Sequence, residues 1–214
     1  MITVVLADDQ EMVRAGFRMI LEAEGDIRVV GVAGSGDEAV TATTKTNPDV
    51  VLMDIRMPGM NGLDATRIIT ARPDAPRVVI VTTFDSDEYL RSALQAGASG
   101  FMLKDAGPRL LVEAVRAAAG GDALVSPSIT VRLLGELADT AVRRTPTSVE
   151  HELSEREVEI AAAIARGGTN EEIAAELFVS VSTVKTHARN ISVKLSARNR
   201  VEIAAWAWRM GVVR

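Results

Sequence analysis

The chain has 214 residues, no cysteine, 47% hydrophobic residues and a formal net charge of −5. That length allows two small domains, and the missing cysteines exclude a disulfide framework and a thiolate metal site. No apolar stretch approaches the ~18 residues of a membrane helix, and Met1-Ile2-Thr3 runs straight into a strand without a charged leader, so a soluble, cytoplasmic protein without membrane contact is expected.

Residues 1–120 alternate between short β-rich apolar runs and helical patterns. Strands are predicted near 2–7, 27–33, 49–54, 77–82 and 99–103, and helices near 10–23, 37–46, 63–71, 87–96 and 108–119. Five βα repeats imply an α/β doubly wound, five-stranded parallel sheet, flavodoxin-like, with helices on both faces. The order 2-1-3-4-5 places strands 1 and 3 side by side at the switch point, where ligands bind past the strand ends. Gly31 to Gly36 is not read as a nucleotide loop, because it follows the second strand and its spacing is Gly-x-x-Gly-x-Gly. It reads as a turn in which Ser35 and Glu38 form a capping box.

Polar residues end the strands. Asp8-Asp9 follow the first, Asp54 the third, Thr82 ends the fourth and Lys104 follows the fifth. One acid at a strand end is usually a helix cap or a solvated charge, but a doublet and a singlet on adjacent strands converge on one crevice. Crowded carboxylates repel, and their proton affinities rise unless a cation neutralises them. Mg²⁺ takes hard oxygen ligands and commonly combines carboxylates with a phosphate oxygen. Asp8 and Asp9 are therefore the expected metal ligands, joined by Asp54 and the backbone carbonyl of Arg56. Asp54 is placed to attack phosphorus and form an acyl phosphate. Lys104 supplies positive charge to the transferred oxygens, and Thr82 a hydroxyl. Thr83 is a weaker substitute for Thr82.

These residues, with Asp54-Ile55-Arg56-Met57-Pro58-Gly59-Met60-Asn61-Gly62 and Phe101-Met102-Leu103-Lys104, resemble the receiver domain of bacterial two-component response regulators across residues 1–120. The resemblance implies that a partner sensor histidine kinase phosphorylates Asp54. It also implies that Phe101 is the switch aromatic, turning inward when Thr82 moves to the phosphoryl group; plain core filler is the alternative reading of Phe101. Such a switch is a population shift between two arrangements of Thr82 and Lys104.

The segment 121–150 changes character and reads as a linker. Residues 127–138 have helical periodicity, and Arg143-Arg144-Thr145-Pro146-Thr147-Ser148 reads as a flexible tether. Beyond it lies an all-α domain at 151–214, with four helices. Ser154 to Glu157 and Thr169 to Glu172 are capping boxes for the first two. A turn at 178–181 precedes a third helix, capped by Ser180 or Ser182 and running to about Leu195, and Asn199 opens a fourth, to about Met210. This is a helix-turn-helix plan.

Charge supports a polyanionic partner for that third helix. Glu152 to Glu176 holds seven glutamates and two arginines, whereas Ser180 to Arg200 holds five basic residues and no acid. Val184, Ile191 and Leu195, with His187 or Ala188 between, form the core stripe. Lys185, Thr186, Arg189 and Asn190 lie opposite, suited to phosphates and base edges of double-stranded DNA. His187 has no partner for a metal role and reads as packing or a phosphate contact.

Leu153-Ser154-Glu155-Arg156-Glu157-Val158, Thr169-Asn170-Glu171-Glu172-Ile173-Ala174 and Ser182-Thr183-Val184-Lys185-Thr186-His187 resemble the LuxR-type DNA-binding domain. The two halves together resemble a NarL/FixJ-class regulator. That resemblance implies Lys185, Thr186 and Arg189 as base- and backbone-reading positions, and with Thr183, Asn190 and Lys194 of the same helix they make up the expected DNA-facing set. It implies a homodimer, promoted by phosphorylation, on inverted or direct half-sites, with Val201, Ala204, Ala205 and Trp208 as dimerisation residues; core packing is the rival reading of Trp208.

The expected protein is thus not an enzyme beyond taking part in its own phosphoryl transfer and dephosphorylation. One rival is a Mg²⁺-dependent aspartyl phosphatase. Such enzymes place a second acid two residues after the nucleophile, where this chain has Arg56. Another is a constitutive DNA binder with a relic receiver, against which the complete acidic set argues.

Overall fold

A computed structural model describes residues 1–72, 74–83, 86–122 and 153–213. The expected linker helix, the Arg143–Ser148 tether and His151 lie outside the described residues. By its internal contacts the chain divides into two units, Met1–Ser126 and Pro127–Arg214.

The first unit alternates strands and helices. They are β1 (Ile2–Ala7), α1 (Glu11–Glu22), β2 (Ile27–Ala33), α2 (Gly36–Thr46), β3 (Val50–Met53), α3 (Gly62–Thr70), β4 (Arg77–Thr82), α4 (Asp87–Gln95), β5 (Gly100–Leu103) and α5 (Pro108–Gly120). All strand pairs are parallel, in the order β2-β1-β3-β4-β5. Helices cover both faces, so the central strands are apolar at nearly every position. Val4, Leu6, Val50, Leu52, Val79 and Val81 pack on one face with Leu21 of α1 and Leu111 and Val115 of α5. The alternate positions Val5, Val51, Met53, Ile80 and Phe101 are equally buried and face the other way; α2 and α3 lie against the strands.

Local signals set the helix starts. Ser35, Asn61 and Ser86 cap α2, α3 and α4 by accepting from the backbone N–H three residues on. At Ser35 the expected reciprocal box is not closed on the cap itself. Glu38 Oε2 instead accepts from Gly34 N at 2.7 Å, and Gly36 N donates to the Met60 carbonyl at 3.0 Å where α2 starts against the β3–α3 loop. The predicted edges at Asp49, Asp54 and Ser99 lie just outside their strands.

The second unit holds α6 (Glu155–Ala165), α7 (Asn170–Glu176), α8 (Val181–Leu195) and α9 (Arg200–Arg209). Ser154 and Thr169 each form a closed capping box, with Glu157 and Glu172. Ser180, rather than Ser182, caps α8, and Asn199 caps α9. Ile160, Ile164, Ile173, Val184, Ile191, Ile203 and Ala207 form the core. Among the described residues no helix is long and apolar enough to cross a membrane.

Candidate functional site

The sheet's parallel register builds the first site. Ala7 pairs with Met53 and Thr82 with Leu103. One residue further on, the ladder continues. Asp8 N donates to the Ala33 carbonyl at 3.0 Å, Asp54 N to Ala7 at 2.8 Å and Lys104 N to Thr82 at 2.9 Å. Each side chain therefore leaves its strand at the same edge. The carboxylates of Asp8, Asp9 and Asp54 each offer an oxygen within 4.8 Å of the others.

Lys104 lies among these acids. Its ammonium donates to Asp8 Oδ2 at 2.6 Å and to Asp54 Oδ2 at 2.7 Å, with all three side chains at most a tenth exposed. Burial pushes the Asp54 carboxyl up. The Lys104 hydrogen bond and charge pull it down, Asp8 adds a further upward push, and the net shift is upward. Burial works against the Lys104 ammonium, but its bonds to Asp54 and Asp8 outweigh that and raise its pKa. One cation thus shares two desolvated carboxylates, and Asp54 remains a disfavoured anion. A cluster of hard oxygens with this excess of negative charge fits a small divalent cation.

Surrounding residues hold the cluster in place. Asp54 Oδ1 accepts from Ile55 N at 2.7 Å, and Asp8 Oδ1 from Gln10 N at 2.9 Å. Gly62 N donates to the Ile55 carbonyl at 2.9 Å, and a β-carbon on Gly62 would fall inside the contact shell of the Asp54 carbonyl oxygen. The glycine closing the 54–62 segment is therefore required by the close return of the loop. Thr82 is fully buried beside Lys104, and Phe101 is turned inward, 1% exposed. Thr83 is exposed. The Arg56 side chain reaches α4, donating to the Tyr89 hydroxyl at 3.2 Å with its guanidinium 5.9 Å from the ring centroid.

Arg14 and Tyr89 had no signal in the sequence. Arg14 lies on the turn of α1 after the acidic doublet, and its Nη1 donates to the Asp8 carbonyl at 2.5 Å. Only the fold brings Tyr89 to Arg56, 33 positions earlier.

In the second unit the core stripe of α8 is as expected, with Val184 and Ile191 fully buried and Leu195 and Ala188 packed beside them. His187 is half-buried, and its Nδ1 is enclosed without a hydrogen-bond partner among the described residues. Lys185, Thr186, Arg189 and Asn190 are exposed on the opposite side. Two expected DNA-facing residues make bonds inside the unit. The Thr183 hydroxyl lies 2.8 Å from Ser180 Oγ within the cap, and Lys194 donates to Glu157 Oε2 at 2.8 Å. Glu157 is 4% exposed and also accepts from Ser154 N at 2.7 Å. The Lys194 hydrogen bond, aided by Ser154, pulls the Glu157 carboxyl down to about 2.

On α9, Val201, Ala204 and Ala205 are half-buried, Ala204 packing on the unit's own core. Trp208 is 48% exposed, and its indole N–H donates to the Ala165 carbonyl at 3.1 Å. It is thus anchored by its polar edge with much of its ring uncovered.

Comparison with known proteins gives matches over both units. Residues 4–116 match the response regulator receiver domain, and residues 151–207 match the bacterial regulatory proteins of the luxR family. The transcriptional regulatory protein LiaR of Bacillus subtilis (strain 168) is 39% identical over 214 residues, covering 100% of both chains. The oxygen regulatory protein NreC of Staphylococcus carnosus (strain TM300) is 39% identical over 208 residues, 95% of each. Among solved structures, the response regulator ChrA of a heme-sensing two-component system is 37% identical, with a TM-score of 0.53 over 99% of this chain and 98% of that one. A LuxR-family response regulator from Aurantimonas sp. SI85-9A1 is 35% identical, with a TM-score of 0.60 over 64% of this chain and 98% of that one.

Proposed function

The chain belongs to the response regulators that join a receiver domain to a LuxR-type DNA-binding domain, and from that premise we propose that a partner histidine kinase phosphorylates Asp54 and thereby switches how the protein holds operator DNA. As a member of that family it is a DNA-binding transcriptional regulator. We assign reception to residues 1–120, linkage to 121–150 and DNA binding to 151–214, in the cytoplasm.

The convergence of Asp8, Asp9, Asp54 and Lys104 at one sheet edge carries the proposal. A carboxylate oxygen of Asp54 attacks the phosphorus of a phosphohistidine. The P–O bond forms, the P–N bond breaks, and the imidazole leaves with the electron pair and takes a proton. Asp8, Asp9, Asp54 and the Arg56 carbonyl would hold Mg²⁺, which when bound neutralises charge on the phosphoryl oxygens. Lys104 moves its ammonium from the carboxylates toward those oxygens, and Thr82 offers its hydroxyl. Loss of the Lys104–Asp54 ion pair then couples the chemistry to β5, which carries Phe101.

On the output side, Lys185, Thr186, Arg189 and Asn190 of α8 enter a major groove. Thr183 supports the helix start, and Val201, Ala204, Ala205 and Trp208 of α9 form the surface through which two copies bind paired half-sites about one turn apart. Aspartyl phosphate made with a small acyl-phosphate donor and Mg²⁺ is detected on a phosphate-retarding gel. The wild type shifts, and Asp54→Asn does not. Operator affinity and sedimentation of the wild type then change with the donor while those of Asp54→Asn stay fixed. A variant that still shifts, or a wild type indifferent to the donor, rejects phosphoryl control.

A further inference from the structure

We propose that Arg14 is a positioning residue for the divalent-cation site, fixing the Asp8–Asp9 peptide so that the Asp9 carboxylate is aimed at the ion. This rests on the reading of Asp8, Asp9 and Asp54 as a Mg²⁺ site. Asp8 is held at every polar atom. Its N–H donates to Ala33, Oδ1 accepts from Gln10 N, Oδ2 from Lys104, and its carbonyl from Arg14. Asp9 differs. It is exposed, and among the described residues no hydrogen bond or ion pair involves its side chain. Its direction is set by its backbone, whose plane begins at the Asp8 carbonyl. The bond that fixes that plane is the charge-assisted one from Arg14.

Arg14 is built into the site. It lines one recess with Leu6, Asp8, Phe17, Asp54 and Val81. Its Nη1 also lies 3.7 Å from where a β-carbon on Gly34 would stand, at the end of β2. The guanidinium therefore ties α1 to the end of β1 and lies near the end of β2. A planar, permanently charged fork suits that task better than an ammonium on a flexible stem. Partners behind metal ligands commonly set affinity by orienting them.

A cation near an acidic cluster has a second effect of opposite sign. As a mere charge, Arg14 competes with the metal, and removing it tightens binding. As a positioner, it prepares the site, and removing it weakens binding. The experiment is a Mg²⁺ titration of the full chain by calorimetry and by the amide shifts of Asp9 and Gln10, for wild type, Arg14→Met and Arg14→Lys, with thermal unfolding beside it. Arg14→Met is expected to weaken Mg²⁺ binding by about 10-fold, and Arg14→Lys by less. If Arg14→Met does not fold, Arg14→Lys carries the test alone. Unchanged or tighter binding in the folded variants overturns the proposal and leaves the metal site standing. A wild type that binds no Mg²⁺ overturns the metal reading, and the proposal with it.

Discussion

Asp54 and Glu157 are both buried carboxylates with a lysine ammonium within 2.8 Å, yet their proton affinities shift in opposite directions. Asp54 shares Lys104 with Asp8, and burial dominates, so its anion is disfavoured. Glu157 has Lys194 together with the N–H and hydroxyl of Ser154, and its anion is strongly favoured. The difference separates a site from a strut. A strut satisfies its charge with groups of its own fold. The acidic site keeps a charge that its own fold does not satisfy, and an outside cation would relieve it.

The comparison breaks most visibly at the strut. Glu157→Ala removes a cap partner and the acceptor of Lys194. Because Lys194 is about one-third exposed, solvent screens part of the loss, leaving about 2 kcal/mol. Glu157 has a folded pKa of about 2, depressed from 4.5. Its contribution is therefore complete above the unfolded value and is lost as pH falls from about 4.5 toward 2. Hydrogen exchange of the α6 and α8 amides should show the variant less protected at pH 7, with the gap closing in acid. Equal protection at pH 7 would deny Glu157 its role.

At the acidic site the sign reverses. Asp54 is raised above 3.8, so protonation favours the fold at low pH and that benefit is lost as pH rises through the folded value. Asp54→Asn should stabilise the first unit at neutral pH, and by less in acid. Mg²⁺ should narrow the neutral gap by stabilising the wild type more than the variant, which keeps Asp8 and Asp9 but lacks the Asp54 charge. Exchange rates of β1 and β3 amides measure this. A destabilised Asp54→Asn would mean that Lys104 already satisfies the site.

The same contrast explains what the sequence made legible. Short apolar runs ending in Asp8, Asp54 and Thr82 carry both the strand signal and the chemistry, so sheet order and acidic edge could be read together. Capping boxes at Ser154 and Thr169 are local patterns and were equally plain. Arg14, Tyr89 and the Glu157–Lys194 pair were not, since each partner is chosen by packing between elements. Lys194 shows what a charge count leaves out. It belongs to an acid-free run, but 37 residues upstream the fold supplies its carboxylate. Glu157 is accounted for locally as the cap partner of Ser154, so the sequence gives no sign of a second partner.

That distinction predicts a small effect at Lys194 where a charge count predicts a large one. A lysine that neutralises a DNA phosphate releases counterions, and removing it makes the salt dependence of log K shallower by roughly 0.9. Lys185 is exposed on α8 and should behave so. Lys194 is held at 2.8 Å by a carboxylate, so its charge is compensated before DNA arrives. Lys194→Gln should lower affinity modestly, by loosening the end of α8, and leave the slope unchanged. Fluorescence anisotropy on one operator fragment across a salt series compares both variants with the wild type. Parallel lines for Lys194→Gln and a shallower one for Lys185→Gln fit a strut. Equal flattening in both would mean that Lys194 leaves Glu157 when DNA binds, and that this carboxylate can give up its lysine, as proposed for Asp54.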